Sequence, residues 1–260
     1  MTDTPQTYVV PLGVAAALPD AYHANSYLAV VHRDRYWLVD CAEGPIGRLM
    51  RVGLNPWDLE GIILTHFHPD HVYGFPALLL GLFLLGRDEE IAPKRSIPIY
   101  ARPEVLERVR AFVALFNNQN WIETLSLTYH IIEPEVGALV VEDEDVTITA
   151  APTRHSLPSI AVRFAIRGTD RAFVYSSDTA PSPELEALAQ NATLLFHEAT
   201  GEERGHTSAE EAGALAARAD VERLVLIHYE DRYADQRLAE ARKTFPGLVE
   251  MAREFVHYLW

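Results

Sequence analysis

The sequence predicts an α+β protein in which a sheet-on-sheet core is covered by outer helices. Three observations lead there. Apolar, strand-like runs come in groups, and helical stretches fill the intervals between the groups. At 260 residues, 48% apolar and 23% charged, the chain has ordinary globular composition and enough length for one large domain with a full core. No linker, low-complexity segment or short-period repeat divides it, so residues 1–260 are read as a single domain.

The elements follow in order. Ser26–Val31 and Tyr36–Asp40 flank His32-Arg33-Asp34-Arg35 and read as a hairpin. Gly47–Val52 reads as a short helix, stopped by Gly53 and the Asn55-Pro56 turn signal. Gly61–Thr65 is a strand, Val72–Leu85 a helix, Ile97–Ala101 a strand, and Pro103–Phe116 a helix with proline near its first turn. In the second half, strand-like runs occur at Leu139–Glu142, Val146–Ala150, Ile160–Ile166 and Ala172–Ser176. A short helix at Pro183–Ala189 precedes the strand Thr193–Phe196. Ser208–Arg218 is a helix opened by a capping box, Ser208 with Glu211. Leu224–Ile227 is a strand and Tyr233–Phe245 a helix.

Charge and targeting signals bound the function. A formal net charge of −15 argues against a broad nucleic-acid footprint, which needs a basic face. It leaves room for a small anionic substrate, because bound cations make a local positive field. The single cysteine, Cys41, precludes an internal disulfide and points to a reducing compartment. Met1-Thr2-Asp3-Thr4-Pro5 lacks the basic-then-apolar pattern of a signal peptide. The longest near-apolar run, Phe75 to Gly86, is about 12 residues, too short for a bilayer. The expectation is a cytoplasmic protein with no membrane segment. The aromatic stretch Phe255–Trp260 is expected to pack on the body of the protein, the alternative being a second subunit of a homodimer.

Seven residues have the chemistry of metal ligands. Four sit in Thr65-His66-Phe67-His68-Pro69-Asp70-His71; His155, Asp178 and His228 follow singly, each just beyond an apolar, strand-like run. In an extended loop, residues two apart point the same way, so His66 and His68 can reach one ion. Pro69 suits the first turn of a helix, from which Asp70 and His71 face a neighbouring ion. His155 would complete the first site and His228 the second, and the two oxygens of Asp178 suit it to bridge them. Two divalent ions are expected. Zinc is the favoured metal, although a cysteine-free nitrogen and oxygen site also accepts manganese or iron. His23, His32, His130 and His257 match no motif and are read as ordinary histidines.

On these residues the chain resembles the metallo-β-lactamase fold superfamily, with its His-x-His-x-Asp-His cluster followed by separate His, Asp and His ligands. More narrowly it is similar to ribonuclease Z and its shorter relatives. The matching pieces are Leu64–His71, Ser176-Ser177-Asp178-Thr179, His197-Glu198-Ala199-Thr200, Gly205-His206-Thr207-Ser208 and Leu226-Ile227-His228. Asp40-Cys41-Ala42-Glu43-Gly44 resembles the first motif of the superfamily, where the aspartate orients the metal site. The resemblance implies a four-layer αβ/βα sandwich with the metals at one edge. It also implies that Glu198 and His206 form an acid pair. A carboxylate beside His206 favours imidazolium and suits it to protonate a leaving group. Asp70, His206 and Glu198 are therefore the expected catalytic residues. Water on a metal ion loses a proton near neutral pH and becomes the nucleophile. Arg154, Arg204 and Arg232 lie near motifs and could contact an anionic substrate.

The narrow match fails in one place. Ribonuclease Z carries a tRNA-gripping arm between the third histidine ligand and the bridging aspartate. Here 178 − 155 = 23 positions separate His155 from Asp178, and two strands fill them. The family's basic Pro-x-Lys-x-Arg loop is also missing there. The extra length lies instead at Gly81–Asn120, a candidate lid or pocket wall. The expected activity is a dinuclear metal-dependent phosphodiesterase on a small or nucleotide-like substrate, without tRNA maturation. The alternatives are a lactone, ester or lactam hydrolase, and a non-catalytic metal-binding module.

Overall fold

The computed structural model describes residues 7–86, 95–116 and 125–260. These form two compact units. The first comprises Met1–Gly13, Ser26–Ile131 and Glu254–Leu259; the second comprises Val14–Asn25, Ile132–Arg253 and Trp260.

The first unit is built on a seven-stranded mixed sheet. Its strands are β1 (Thr7–Gly13), β2 (Tyr27–His32), β3 (Arg35–Val39), β4 (Leu59–Ile63), β5 (Arg95–Ala101), β6 (Leu125–Ile131) and the C-terminal β14 (Tyr258–Leu259), in the order β14-β1-β2-β3-β4-β5-β6. The β1-β2 and β2-β3 pairs are antiparallel, whereas β3, β4, β5 and β6 run parallel. Helices α1 (Pro45–Arg51), α2 (Pro69–Val72), α3 (Phe75–Leu85) and α4 (Pro103–Ala114) lie between these strands in sequence. Leu38, Ile62, Leu64 and Ile99 of the sheet region share a core with Leu49 of α1, Leu78 and Leu82 of α3, and Val105 and Val109 of α4.

The second unit repeats the plan. Its strands are β7 (Ala138–Glu142), β8 (Val146–Pro152), β9 (Ile160–Ile166), β10 (Ala172–Tyr175), β11 (Leu194–Glu198), β12 (Arg223–Ile227) and β13 (Leu248–Met251), ordered β13-β12-β11-β10-β9-β8-β7. Strands β7 to β10 pair antiparallel and β10 to β13 parallel. Helices α5 (Pro183–Leu188), α6 (Ala209–Arg218) and α7 (Ala234–Thr244) cover an alanine-rich core with Leu195, Leu215, Leu224 and Phe245. Ser208 caps α6 and Glu211 returns the bond, forming the expected capping box.

Three departures from the sequence reading have physical causes. The expected helix Val72–Leu85 is two helices, α2 and α3, parted at Gly74. The Gly74 amide donates to the Cys41 carbonyl at 3.0 Å, and a Cβ at Gly74 would sit 1.6 Å from the Ala42 oxygen. The loop after β3 therefore approaches this backbone so closely that only glycine fits. Strand β1 escaped the reading because Pro11 interrupts it; the pairing with β2 shifts register between Pro11 and Gly13. The short edge strands β13 and β14 gave no periodic signal, and β6 also escaped it. The C-terminal aromatics do pack on the protein: β14 pairs with β1, His257 stacks on Tyr8 at 4.2 Å, and Trp260 lies 5.9 Å from Phe173. Of the stretch proposed as a lid, residues 87–94 and 117–120 lie outside the described residues. The remainder is the end of α3, then β5 and α4.

Candidate metal centre

Both sheets present their ligand-type side chains just beyond the C-terminal ends of strands, where parallel sheets in α/β folds place their sites. In the first unit these are Asp40 after β3 and the histidine run after β4. In the second they are Asp178 after β10, Glu198 at the end of β11 and His228 after β12.

The first unit holds its histidines through Asp40. This side chain is fully buried. It accepts the Thr65 amide at 2.8 Å, the Thr65 hydroxyl at 2.8 Å and the Nδ1–H of His71 at 2.8 Å. With Nδ1 of His71 committed as a donor, its lone pair sits on Nε2. Thr65 spends its hydroxyl proton on Asp40, so its oxygen can accept from Nδ1 of His66 at 3.1 Å, which fixes that tautomer in the same sense. Nε2 of His66 then faces Nδ1 of His68 at 3.0 Å. Two imidazole nitrogens this close are spaced as ligands of one cation. The Asp70 carboxylate lies 3.4 Å from Nε2 of His71, on the first turn that Pro69 begins. Burial pushes the Asp40 carboxyl above the usual carboxylate range, against the pull of His71 and Thr65.

The second unit arranges its groups around Asp178. One carboxylate oxygen lies 3.8 Å from Nε2 of His155 and the other 3.5 Å from Nε2 of His228. Each ring is oriented through its other nitrogen. Nδ1 of His155 donates to the Gly205 carbonyl at 2.8 Å, and Nδ1 of His228 donates to Thr200 Oγ1 at 2.8 Å. Asp178, His206 and His228 bring ligand atoms within 4.8 Å of one another. Glu198 is fully buried and anchored by three amides, those of Thr179 at 3.0 Å, Thr200 at 3.0 Å and Thr207 at 3.2 Å. Its Oε1 receives Nδ1 of His206 at 3.0 Å. Burial lowers the His206 pKa, but the Glu198 hydrogen bond and the charges of Glu198, Asp178 and Glu203 outweigh it, and the net shift is upward. His197 is buried, and that burial lowers its pKa.

Two of these residues adopt left-handed backbone, Asp40 at φ 62° and His228 at φ 55°, as does Ser177, next to Asp178, at φ 53°. Such conformations cost about 1–3 kcal/mol for non-glycine residues and persist where the surroundings enforce them. The Asp40 amide donates to Ile63 O at 2.9 Å and the His228 amide to Val14 O at 2.9 Å. These sharp exits turn the side chains out at the strand ends.

The sequence singled out Asp40 and the Glu198–His206 pair, but not what positions the ligands around them. Thr65, Thr200, Thr207 and Gly205 were visible only as motif neighbours. The histidines without motifs have local partners: His23 with Asp20, His32 with Thr7, His130 with Thr128 and Tyr100. Arg154 and Arg232 pair with Glu184 and Glu230. The interval from His155 to Asp178 holds β9 and β10 joined by a short turn.

Comparison with known proteins agrees with this chemistry. A beta-lactamase superfamily domain matches residues 35–229, and the chain belongs to that superfamily. It is 27% identical to ribonuclease Z of Parabacteroides distasonis over 92% of this chain and 94% of that one. It is also 27% identical to ribonuclease Z of Methanothermobacter thermautotrophicus, over 90% and 91%. Among solved structures, the metallo-β-lactamase fold protein YhfI from Bacillus subtilis superposes with a TM-score of 0.84 at 23% identity, covering 99% and 100% of the two chains. Human tRNase Z, short form, gives 0.78 at 24% identity, covering 96% and 98%. The fold is thus the α+β metallo-β-lactamase fold, and the chain is a ribonuclease Z-like, metal-dependent hydrolase of that fold. Among the described residues, no helix is long and apolar enough to cross a membrane.

Proposed function

We propose that the protein is a dinuclear metal-dependent phosphodiesterase acting on a small, nucleotide-like anionic substrate in the cytoplasm, and that both units together form one catalytic domain. In this reading His66, His68 and His155 hold one divalent ion and Asp70, His71 and His228 the other, with Asp178 shared. Zinc suits the nitrogen-rich donor set, and manganese or iron remain compatible with it. The donor set fits such ions: in His66, His71, His155 and His228 a protein partner engages Nδ1, while Nε2 faces another ligand-type group, His68, Asp70 or Asp178. A divalent pair supplies Lewis acidity at a phosphoryl oxygen and lowers the pKa of bound water.

The observation that carries the phosphodiester reading is the Glu198–His206 bond of 3.0 Å beside Asp178. Glu198 takes Nδ1 of His206, so the second ring nitrogen can deliver a proton to a leaving alkoxide. Support for a small substrate comes from the net charge of −15 and from the hairpin that alone fills the His155–Asp178 interval. A tRNA ligand must have several phosphates neutralised, and its binding weakens steeply with salt.

The test is to incubate metal-loaded protein with bis-(p-nitrophenyl) phosphate, a lactone, a lactam and a precursor tRNA at low salt. Turnover of the diester without 3′ cleavage of the tRNA is expected. Accurate tRNA cleavage, or brisk lactone turnover with no diesterase activity, would overturn the reading. Metal analysis should give more than one equivalent per chain, and Asp178→Ala should empty at least one site.

A further inference from the structure

Outside the motifs, one cation is tied to the residue that orients His228. Arg237 of α7 has a largely buried side chain, 16% exposed. Its Nη2 donates to the Thr200 carbonyl at 2.7 Å, and its Nη1 pairs with Glu240 at 3.2 Å. Thr200 is the hinge of the second unit's polar network. Its amide donates to Glu198 Oε2 at 3.0 Å, its Oγ1 accepts from Nδ1 of His228 at 2.8 Å, and the same hydroxyl donates to the His228 carbonyl at 3.1 Å. The next residue makes room for the guanidinium. Gly201 sits at φ 138°, and a Cβ there would lie 2.7 Å from Arg237 Nη2.

We infer that Arg237 is a positioning residue for the metal ligand His228: its guanidinium fixes the Thr200 carbonyl, and through Thr200 it sets the ring and tautomer that His228 offers to an ion. The inference rests on the dinuclear reading above. Groups hydrogen-bonded to a ligating imidazole typically change metal affinity about 10- to 100-fold when removed; Arg237 acts on that group, Thr200, and so belongs at the low end of the range. A lysine could reach one acceptor, but it lacks the planar fork that serves Thr200 and Glu240 together. Arg237 also lines a pocket of about 510 Å³ with Glu202, Glu210, Gln236 and Glu240. This acidic lining would attract a small cation to the space that a truncated Arg237 leaves.

The experiment measures metal affinity rather than turnover. Metal-loaded wild type, Arg237→Ala and Arg237→Lys are titrated with a chromogenic chelator, and cobalt-substituted protein is followed by its visible absorption. In Arg237→Ala one of the two affinities should fall about 10-fold, the other should hold, and the cobalt spectrum should change. Millimolar guanidinium chloride should restore most of the loss, whereas sodium chloride at equal ionic strength should not. Arg237→Lys should fall between wild type and alanine. Gly201→Ala, which crowds Arg237 from the other side, should reproduce the loss without rescue by guanidinium. Unchanged affinities in Arg237→Ala, with two ions bound in the wild type, would overturn this inference alone. An equal fall at both sites that tracks a lowered melting temperature and resists guanidinium would make Arg237 merely structural. A wild type that takes up no divalent ion would overturn the inference together with the proposed function.

Discussion

Replacing Asp40 by asparagine tests whether a buried carboxylate sets the metal affinity of the histidine run. The side chain is fully buried and serves three donors: the Thr65 amide, the Thr65 hydroxyl and Nδ1–H of His71. Asparagine has the same shape, and its oxygen at the Oδ1 position can keep Thr65, whose amide and hydroxyl lie 2.8 and 3.0 Å from that atom. Its NH2 then meets the His71 N–H, donor against donor. The ring escapes by moving its proton to Nε2, which removes the lone pair that would bind an ion. The lost bond is charge-assisted, of a kind worth about 1.5–3 kcal/mol. That range agrees with the roughly 10- to 100-fold loss of affinity expected when a ligand's outer partner is removed. Asp40→Ala should add a folding defect. It leaves the Thr65 amide and the His71 N–H buried without an acceptor, at about 1–3 kcal/mol each. Chelator competition measures the first effect and urea unfolding of the metal-free protein the second. Asp40→Asn with wild-type affinity for two ions would refute the reasoning, because it would mean that the His71 tautomer does not depend on Asp40.

Other predictions address the fold and the acid. Gly74→Ala should destabilise by more than about 4 kcal/mol, since its Cβ would lie 1.6 Å from the Ala42 oxygen. Gly47→Ala in α1, with nothing within 4 Å of the added carbon, should instead gain about 0.5–1 kcal/mol; equal urea midpoints for the two variants would contradict the packing argument. His206→Ala should lower turnover of diesters with poor leaving groups by about 10²–10⁴-fold and spare p-nitrophenyl esters, whereas equal losses would assign His206 a structural role. In metal-free protein, NMR titration should place the His206 pKa above 6.5, and Glu198→Gln should lower it. The folded value lies above that of the unfolded chain, so this group's contribution to stability is full below about pH 6.5 and is lost as pH rises through the raised value. A His206 pKa unmoved by Glu198→Gln would remove Glu198 as its cause.

Much of the site was legible because its signals are local. The run His66–His71 carries its own geometry: alternation in an extended segment for His66 and His68, then a proline-initiated turn for Asp70 and His71. The Ser208–Glu211 box announces its helix within four residues for the same reason. Strand ends could be located from apolar runs, which placed Asp178 and His228. Tertiary structure decided what the chain brings together from afar. Asp40 grips Thr65 and His71 from 25 and 31 positions away, and Glu198 gathers amides from Thr179 and Thr207. Between α2 and α3 the Gly74 amide turns to the distant Cys41 carbonyl, and the Ala42 backbone occupies the space of a side chain there. The two-residue β14 exists only because β1 offers it a partner. Periodicity and capping act within a few residues and can be read along the chain. Hydrogen bonds to buried groups and close backbone contacts depend on which distant segment arrives, and that is known only once the chain has folded.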